Sequence, residues 1–411
     1  MPERNTPNQV AVAAMQAARP ILADIQSAGN AIPSLEKHTL LHAGPPVAWE
    51  HMVDVQRGAV VGAMLYEGWA TSREQAERIA SAGEVRLIPC HDVDAVGGMA
   101  GVTSPSMPVA VFQNAVGQER AYCRLWEPRL IFGHSDAQTI ELLQWMEEVL
   151  APTLRQALRR AGPVDLFSLI GRSLQMGDEC HSRLVAGSSL FLRILLPHLL
   201  AAPVSANELA STVKFLAAND GVFLTFVMGA SKIIALAASH VPSSTVITAI
   251  CSNGWETGLK ISGAGRRWFT GPAPIVDGML LPGFTDADAS PQIGDSAINE
   301  VVGLGGCAMA AAPLAPANIG GQFDHACAFS ENAFALAVGQ QPEWTIPALG
   351  RGTALGLDAR RVLETNRLPP LAATIPCQRA GGGRAGVGIA RLPLSIFHQA
   401  VESVSAREPH G

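Results

Sequence analysis

The alternation of apolar and polar positions along this 411-residue chain changes rhythm twice. Before about residue 134, short apolar runs bounded by Gly and Pro predict strands at "VRLIPC" (85–90), "MPVAVFQNA" (107–115) and "RAYCRLW" (120–126). Thr71 with Glu74 reads as a capping box for a helix over "SREQAERIASAG" that ends at Gly83. From 135 to 241 nearly every window carries the helical period. Ser135 with Gln138 opens a long run interrupted by Pro152, and Ser205 with Glu208 opens another. Strand rhythm then returns. "STVITAICS" and "WETGLKIS" flank Asn253-Gly254, whose tolerance of positive φ predicts a type I′ hairpin. The pattern predicts an α+β fold, with an N-terminal α+β domain (1–134), a helical domain (135–241) and a C-terminal α+β domain (242–411).

Composition sharpens this picture. Hydrophobic residues make up 48% and charged residues 16%, which implies a large interior and excludes a disordered chain. The net charge of −6, without any Lys/Arg cluster, leaves no electrostatic footprint for nucleic acid. Seven widely spaced Cys without a CxxC indicate neither a zinc ribbon nor a thioredoxin-type pair and predict a reduced, cytoplasmic protein. "VFLTFVMGASKIIALAAS" (222–239) is apolar, but Lys232 within it would cost about 2.5–3.5 kcal/mol at bilayer depth. It reads as a buried helix, so no membrane span is expected.

Four polar stretches stand out against this apolar background. "MGDECHSR" (176–183), taken as helical, puts Asp178 on the face of His181, where the carboxylate could orient the imidazole, and leaves Glu179 to pair with Arg183. The competing reading is a solvated ion pair above a core Cys180. "CHDVDAVGGMAGVTSPSMP" (90–108) follows a strand and holds His91, a Gly-rich turn suited to an anion nest, and two serines. "IGDSAINEVVGLGGCAMAAA" (293–312) resembles a helix start capped by Asp295 or Ser296. "GGGRAGVGIAR" (381–391) lacks the GK[ST] of a phosphate loop and reads as a flexible turn. Arg57 and Arg267 offer guanidinium groups for a carboxylate, although each has a structural reading as a tether or a strand edge. GxSxG, HExxH, a GxGxxG following a predicted strand and Walker motifs are absent, as is the Ser-Thr-Arg-Thr run of ordinary carbamoyltransferases.

The order of "HAGPPVAWEHM", "AVGGMAGVTSPSMPV", "MGDECHSR", "RRWFTGPAP", "GDSAINEVVGLGGCAMAAAP" and "TIPALGRGTALGLDARRVLET" resembles the YlbE-like family over residues 5–403. That family includes a subunit of a multi-component oxamate carbamoyltransferase. Two positions depart from its usual pattern: Asp92 stands where a second histidine is usual, and Gly98 replaces a proline.

The resemblance implies phosphorolysis of a carbamoyl or ureido compound to carbamoyl phosphate. It also implies an acyl-CoA-synthetase-like partner and a further small subunit, with self-association left open. On that reading His91 or His181 moves the proton, with Asp178 orienting His181. Gly97, Gly98, Gly101, Ser104, Ser106, Gly294, Asp295 and Ser296 would stabilise anions, and Arg57 or Arg267 would hold a carboxylate. No metal or cofactor is expected. The alternative is a non-catalytic scaffold or regulatory subunit, with the chemistry residing in the partner.

Overall fold

The structure is a computed structural model and describes residues 6–313 and 321–405. The fold is α+β, as the rhythm predicts. A five-stranded sheet runs in the order Ala95–Val96, Arg120–Arg124, Pro108–Asn114, Pro20–Ser27, Val164–Asp165. A four-stranded sheet runs Phe269–Pro272, Glu256–Ile261, Ile247–Asn253, Ile293–Gly294. The smaller sheets include the parallel pair Thr39–His42 with Arg86–Pro89.

Between 137 and 237 the chain is helical apart from the two-residue strand Val164–Asp165 and the turns and loops that join the helices. Helix Gly221–Ala237 packs on strands Pro108–Asn114 and Arg120–Arg124. Its small face admits the Phe112 ring; a Cβ on Gly229 would lie 2.1 Å from that ring. Lys232 is buried in this helix, and no single described helix is long and apolar enough to cross a membrane. The main apolar cluster runs from Ala11 to Val404 and draws on all three segments of the chain. All seven cysteines are free.

Several local expectations are corrected. The 71–83 helix is capped by Ser72 rather than Thr71, and it spans Arg73–Ser81. Asp136, not Ser135, caps Ala137–Trp145. Pro152 does not interrupt the next run, because a π turn at Met146–Leu150 absorbs the missing N–H and the helix resumes at Ala151–Ala161. The Ser205–Glu208 capping box is present as expected.

The hairpin of Ile247–Asn253 and Glu256–Ile261 forms, but positive φ occurs at Gly254 and not at Asn253, so the turn is not type I′. The Asn253 side chain is buried instead, accepting from the Trp255 and Glu256 N–H groups and donating to the Pro45 carbonyl. The 381–391 stretch contains the strand Arg384–Ala390, central in a three-stranded sheet. Its glycines pair where side chains would collide: a Cβ on Gly388 would lie 2.2 Å from the Asp277 carbonyl oxygen.

Candidate functional site

"MGDECHSR" is a loop. Helix Leu166–Gln175 ends before it and Val185–Leu200 begins after it, while Gly177 and Cys180 take positive φ. Glu179 holds the loop in shape. Its buried carboxylate accepts from the His181, Ser182 and Arg183 N–H groups, so it does not pair with the Arg183 side chain across a helical turn as expected.

Asp178 does not orient His181 either. It accepts from Gly187 N–H at 2.8 Å and lies 3.7 Å from Arg183 Nε. The carboxylate on His181 is Glu300, whose Oε1 is 2.8 Å from Nδ1. The same oxygen accepts from the Gly306 and Ala372 N–H groups. Gly305 must be glycine here, since a Cβ would lie 2.1 Å from Glu300 Oε1. Burial alone would favour the neutral imidazole, but the Glu300 charge outweighs it and holds the imidazolium above its ordinary pKa. Nothing in the local sequence signals this pair, whose members are 119 positions apart.

The 293–296 turn is also not a helix cap. The following helix is only Ile298–Val301, with Ala297 at its cap. Strand Ile293–Gly294 pairs with Ser252–Asn253, and this delivers Asp295 to a seam between the two larger sheets. Asp295 accepts from Gly44 N–H at 2.8 Å and Gly97 N–H at 2.9 Å, and its own N–H donates to the Gly97 carbonyl. The Gly97 N–H expected to face an anion ligand is therefore taken by a protein carboxylate. Burial pushes the Asp295 carboxyl up to about 7. Gly97 also has no room for a side chain, since a Cβ would meet Gly101 Cα at 2.5 Å, whereas nothing lies within 4 Å of a Cβ on Gly98.

Three of the expected stretches converge. A cavity of about 590 Å³ is lined by Gly98, Met99, His181, Ser296, Arg183 and Arg384, among others. The Gly98 and Met99 N–H groups and the Ser296 hydroxyl make no hydrogen bond to any described residue. His181, engaged at Nδ1 by Glu300, keeps Nε2 for a ligand. The site thus combines an imidazole of raised pKa, free donors and two guanidinium groups, an arrangement suited to a small carboxylated or phosphorylated compound. The sequence alone does not mark Arg183 and Arg384 as ligand-holding groups, because an isolated Arg in a loop or Gly-rich strand carries no periodic signal.

His91 lies elsewhere, on a second cavity of about 810 Å³ with Asp92, Asp94, Lys232, Lys260 and Arg266. Burial, then the ammonium groups of Lys232 and Lys260, hold its pKa well below the ordinary value. Its Nε2 is buried without a hydrogen-bond partner, 3.9 Å from Asp295 Oδ1. His91, Cys251 and Asp295 bring donor atoms within 4.8 Å of one another, a spacing that could hold a metal ion. Lys232 Nζ, 3.4 Å from His91 Nδ1, opposes a cation there, so the three donors do not fit a metal ion.

The remaining candidates are dispersed. Arg57 donates to the Trp49 and Glu50 carbonyls, tethering its helix beside a separate surface cleft. Arg267 is exposed, its guanidinium 5.1 Å from the centre of the Phe269 ring. Ser106 is bound to Glu67, while the Ser104 hydroxyl is buried without a partner among the described residues. Gly101 packs against Ala43, and its N–H donates to the Gly98 carbonyl. Gly294 packs against Met99 at φ 126°, where a side chain would be strained.

Known proteins share this architecture. The family described as "Oxamate carbamoyltransferase subunit AllG" matches residues 85–296. The chain is 39% identical to the oxamate carbamoyltransferase subunit AllG of Escherichia coli (strain K12) over 405 residues, covering 97% of both proteins. It is 38% identical to the uncharacterized protein YahG of the same strain, over 96% of this chain and 84% of that one. A crystal structure of a conserved protein of unknown function from Enterococcus faecalis V583 superposes with a TM-score of 0.95 at 38% identity, covering 97% of each chain. By sequence and fold over nearly its whole length, the chain belongs to the family of the oxamate carbamoyltransferase subunit AllG.

Proposed function

We propose that this chain is the carbamoyl-handling subunit of a cytoplasmic oxamate carbamoyltransferase complex, working with an acyl-CoA-synthetase-like subunit and a further small subunit. The observation that carries the reading is the convergence of Gly98, His181 and Ser296 on one cavity beside two arginines. The 39% identity to a subunit of that name supports it.

In the phosphorolytic direction, an oxygen of monohydrogen phosphate attacks the ureido carbonyl carbon of N-carbamoyl-oxamate. A C–O bond forms and an oxyanion develops, for which the Gly98 and Met99 N–H groups and the Ser296 hydroxyl are the available donors. The C–N bond then breaks. The His181 imidazolium gives its proton to the departing nitrogen and regains one from the phosphate hydroxyl, so proton and charge balance. Oxamate and carbamoyl phosphate are the products. Glu300 keeps His181 in the charged, correctly turned state that this donation needs, and Arg183 and Arg384 hold the carboxylate and phosphate.

The test is reconstitution of the three subunits with N-carbamoyl-oxamate and phosphate, reading carbamoyl phosphate formation. Turnover that requires this chain and collapses in His181→Gln is expected. Full turnover without the chain, or with His181→Gln, would overturn the proposal.

A further inference from the structure

The second cavity takes no part in that reaction, yet its charges do not balance. Its lining carries Arg86, Arg120, Lys232, Lys260 and Arg266 against Asp92, Asp94 and Glu119, five cations minus three carboxylates, an excess of two positive charges. The inner part of the wall shows where the excess falls. Lys260 is matched: its Nζ is 2.6 Å from Asp92 Oδ1 and 4.1 Å from the centre of the Trp268 ring. Asp94 is shared between two cations, at 3.8 Å from Lys232 and 3.4 Å from Arg266.

Lys232, whose side chain is only 6% exposed, therefore shares Asp94 with Arg266, and its other anionic neighbour is the buried Asp295, which already accepts from two backbone N–H groups. Its nearest polar neighbour is His91 Nδ1 at 3.4 Å, an imidazole that its surroundings keep neutral. A buried ammonium whose carboxylates are distant or shared is costly unless a ligand completes its shell. Lys232 responds as such a group should, burial having pulled its pKa down to about 8.

We propose that the second cavity is a distinct binding site for a small dianion, orthophosphate or a phosphate ester, received by Lys232 and flanked by Lys260 and Arg266. A dianion matches the excess of two over the whole lining, one from Lys232, Lys260 and Arg266 against Asp92 and Asp94 and one from Arg86 and Arg120 against Glu119, whereas a simple carboxylate would leave one unpaired. The cavity of about 810 Å³ has room for a phosphate ester as well as for free phosphate. His91 lines this site with its Nδ1 on Lys232, so it is placed to position the ammonium.

The experiment is calorimetric titration of the full chain with orthophosphate, and separately with a sugar phosphate, in an Arg384→Met background that weakens the first cavity. One equivalent of anion should remain in that background. Adding Lys232→Met should weaken it at least tenfold, and Arg266→Ala, at an exposed guanidinium, by several-fold. Tighter binding of the sugar phosphate would identify an ester as the occupant, and equal or weaker binding would identify free phosphate. No binding of either anion in Arg384→Met, or affinities unchanged by both Lys232→Met and Arg266→Ala, would overturn the proposal. The Arg266 variant decides the matter if Lys232→Met does not fold. Because the readout is binding to the isolated chain, a failure here is separable from a failure of the carbamoyl transfer reaction.

Discussion

The two cavities each hold a nearly buried histidine, and the surroundings shift their pKa values in opposite directions. His181 faces Glu300 at 2.8 Å, whose charge outweighs burial and raises the imidazole pKa above its ordinary value. His91 faces Lys232 at 3.4 Å and is kept neutral. Proton donation and anion attraction are thereby favoured at the first and disfavoured at the second. One residue type thus acquires two opposite pKa shifts from the charge beside it.

The largest effect that would break this comparison is catalytic. His181→Gln should lower turnover of the assembled complex by about 10²–10⁴-fold, the range of a lost general acid, as read by carbamoyl phosphate formation. The same loss in His91→Gln with His181→Gln active would invert the assignment. Glu300→Leu removes the acceptor of two backbone N–H groups and His181. It should destabilise the chain by about 3–5 kcal/mol in urea denaturation.

In Glu300→Gln the raised imidazole pKa should fall. Anion binding to the first cavity, strong below that pKa and lost as pH rises through it, should then fade at lower pH than in the parent. Calorimetry across pH 5–9 checks this, and an unchanged profile would remove Glu300 from its role.

Asp295 marks where the two cavities are held apart, and its variants sharpen the contrast. Asp295→Asn keeps one acceptor oxygen for two N–H donors, so a loss of about 1–3 kcal/mol is expected. The parent carboxyl has a folded pKa of about 7 against an ordinary value of 3.8. The folded state therefore binds more protons between those values, and parent stability should fall as pH rises from 4 to 7. Asp295→Asn should lose that part of the slope. The smallest effects separate adjacent glycines. Gly97→Ala, forced against Gly101, should cost about 1–3 kcal/mol, while Gly98→Ala, with open space around its Cβ, should stay within about 0.5 kcal/mol. Thermal denaturation of both resolves the difference.

Legibility in the sequence follows the range of the interaction. The Ser205–Glu208 box, the strands near 86–89, 108–114 and 120–124, and the buried helix around Lys232 depend on neighbours within a few positions, and period and capping chemistry locate them. Expectation and structure part where a side chain has a better distant partner. Asp295 has the look of a helix cap because the next residues suit a helix, but the Gly44 and Gly97 N–H groups claim it. Helical spacing pairs Asp178 with His181, yet two residues with positive φ break the helix and turn His181 toward Glu300. Arg57 and Arg267 stand out by charge alone, and charge does not say where a side chain ends up.

The sequence by itself determined the α+β class, the helical middle and the stretches rich in polar groups, because propensity, period and composition are local or additive. Only the tertiary structure decided which of those groups meet. It joined residue 181 to residue 300 and residue 98 to residue 296, and it set His91 beside Lys232 instead of His181. The charge of a buried group depends on the partner a few ångströms away and on the water excluded around both, and chain spacing encodes neither.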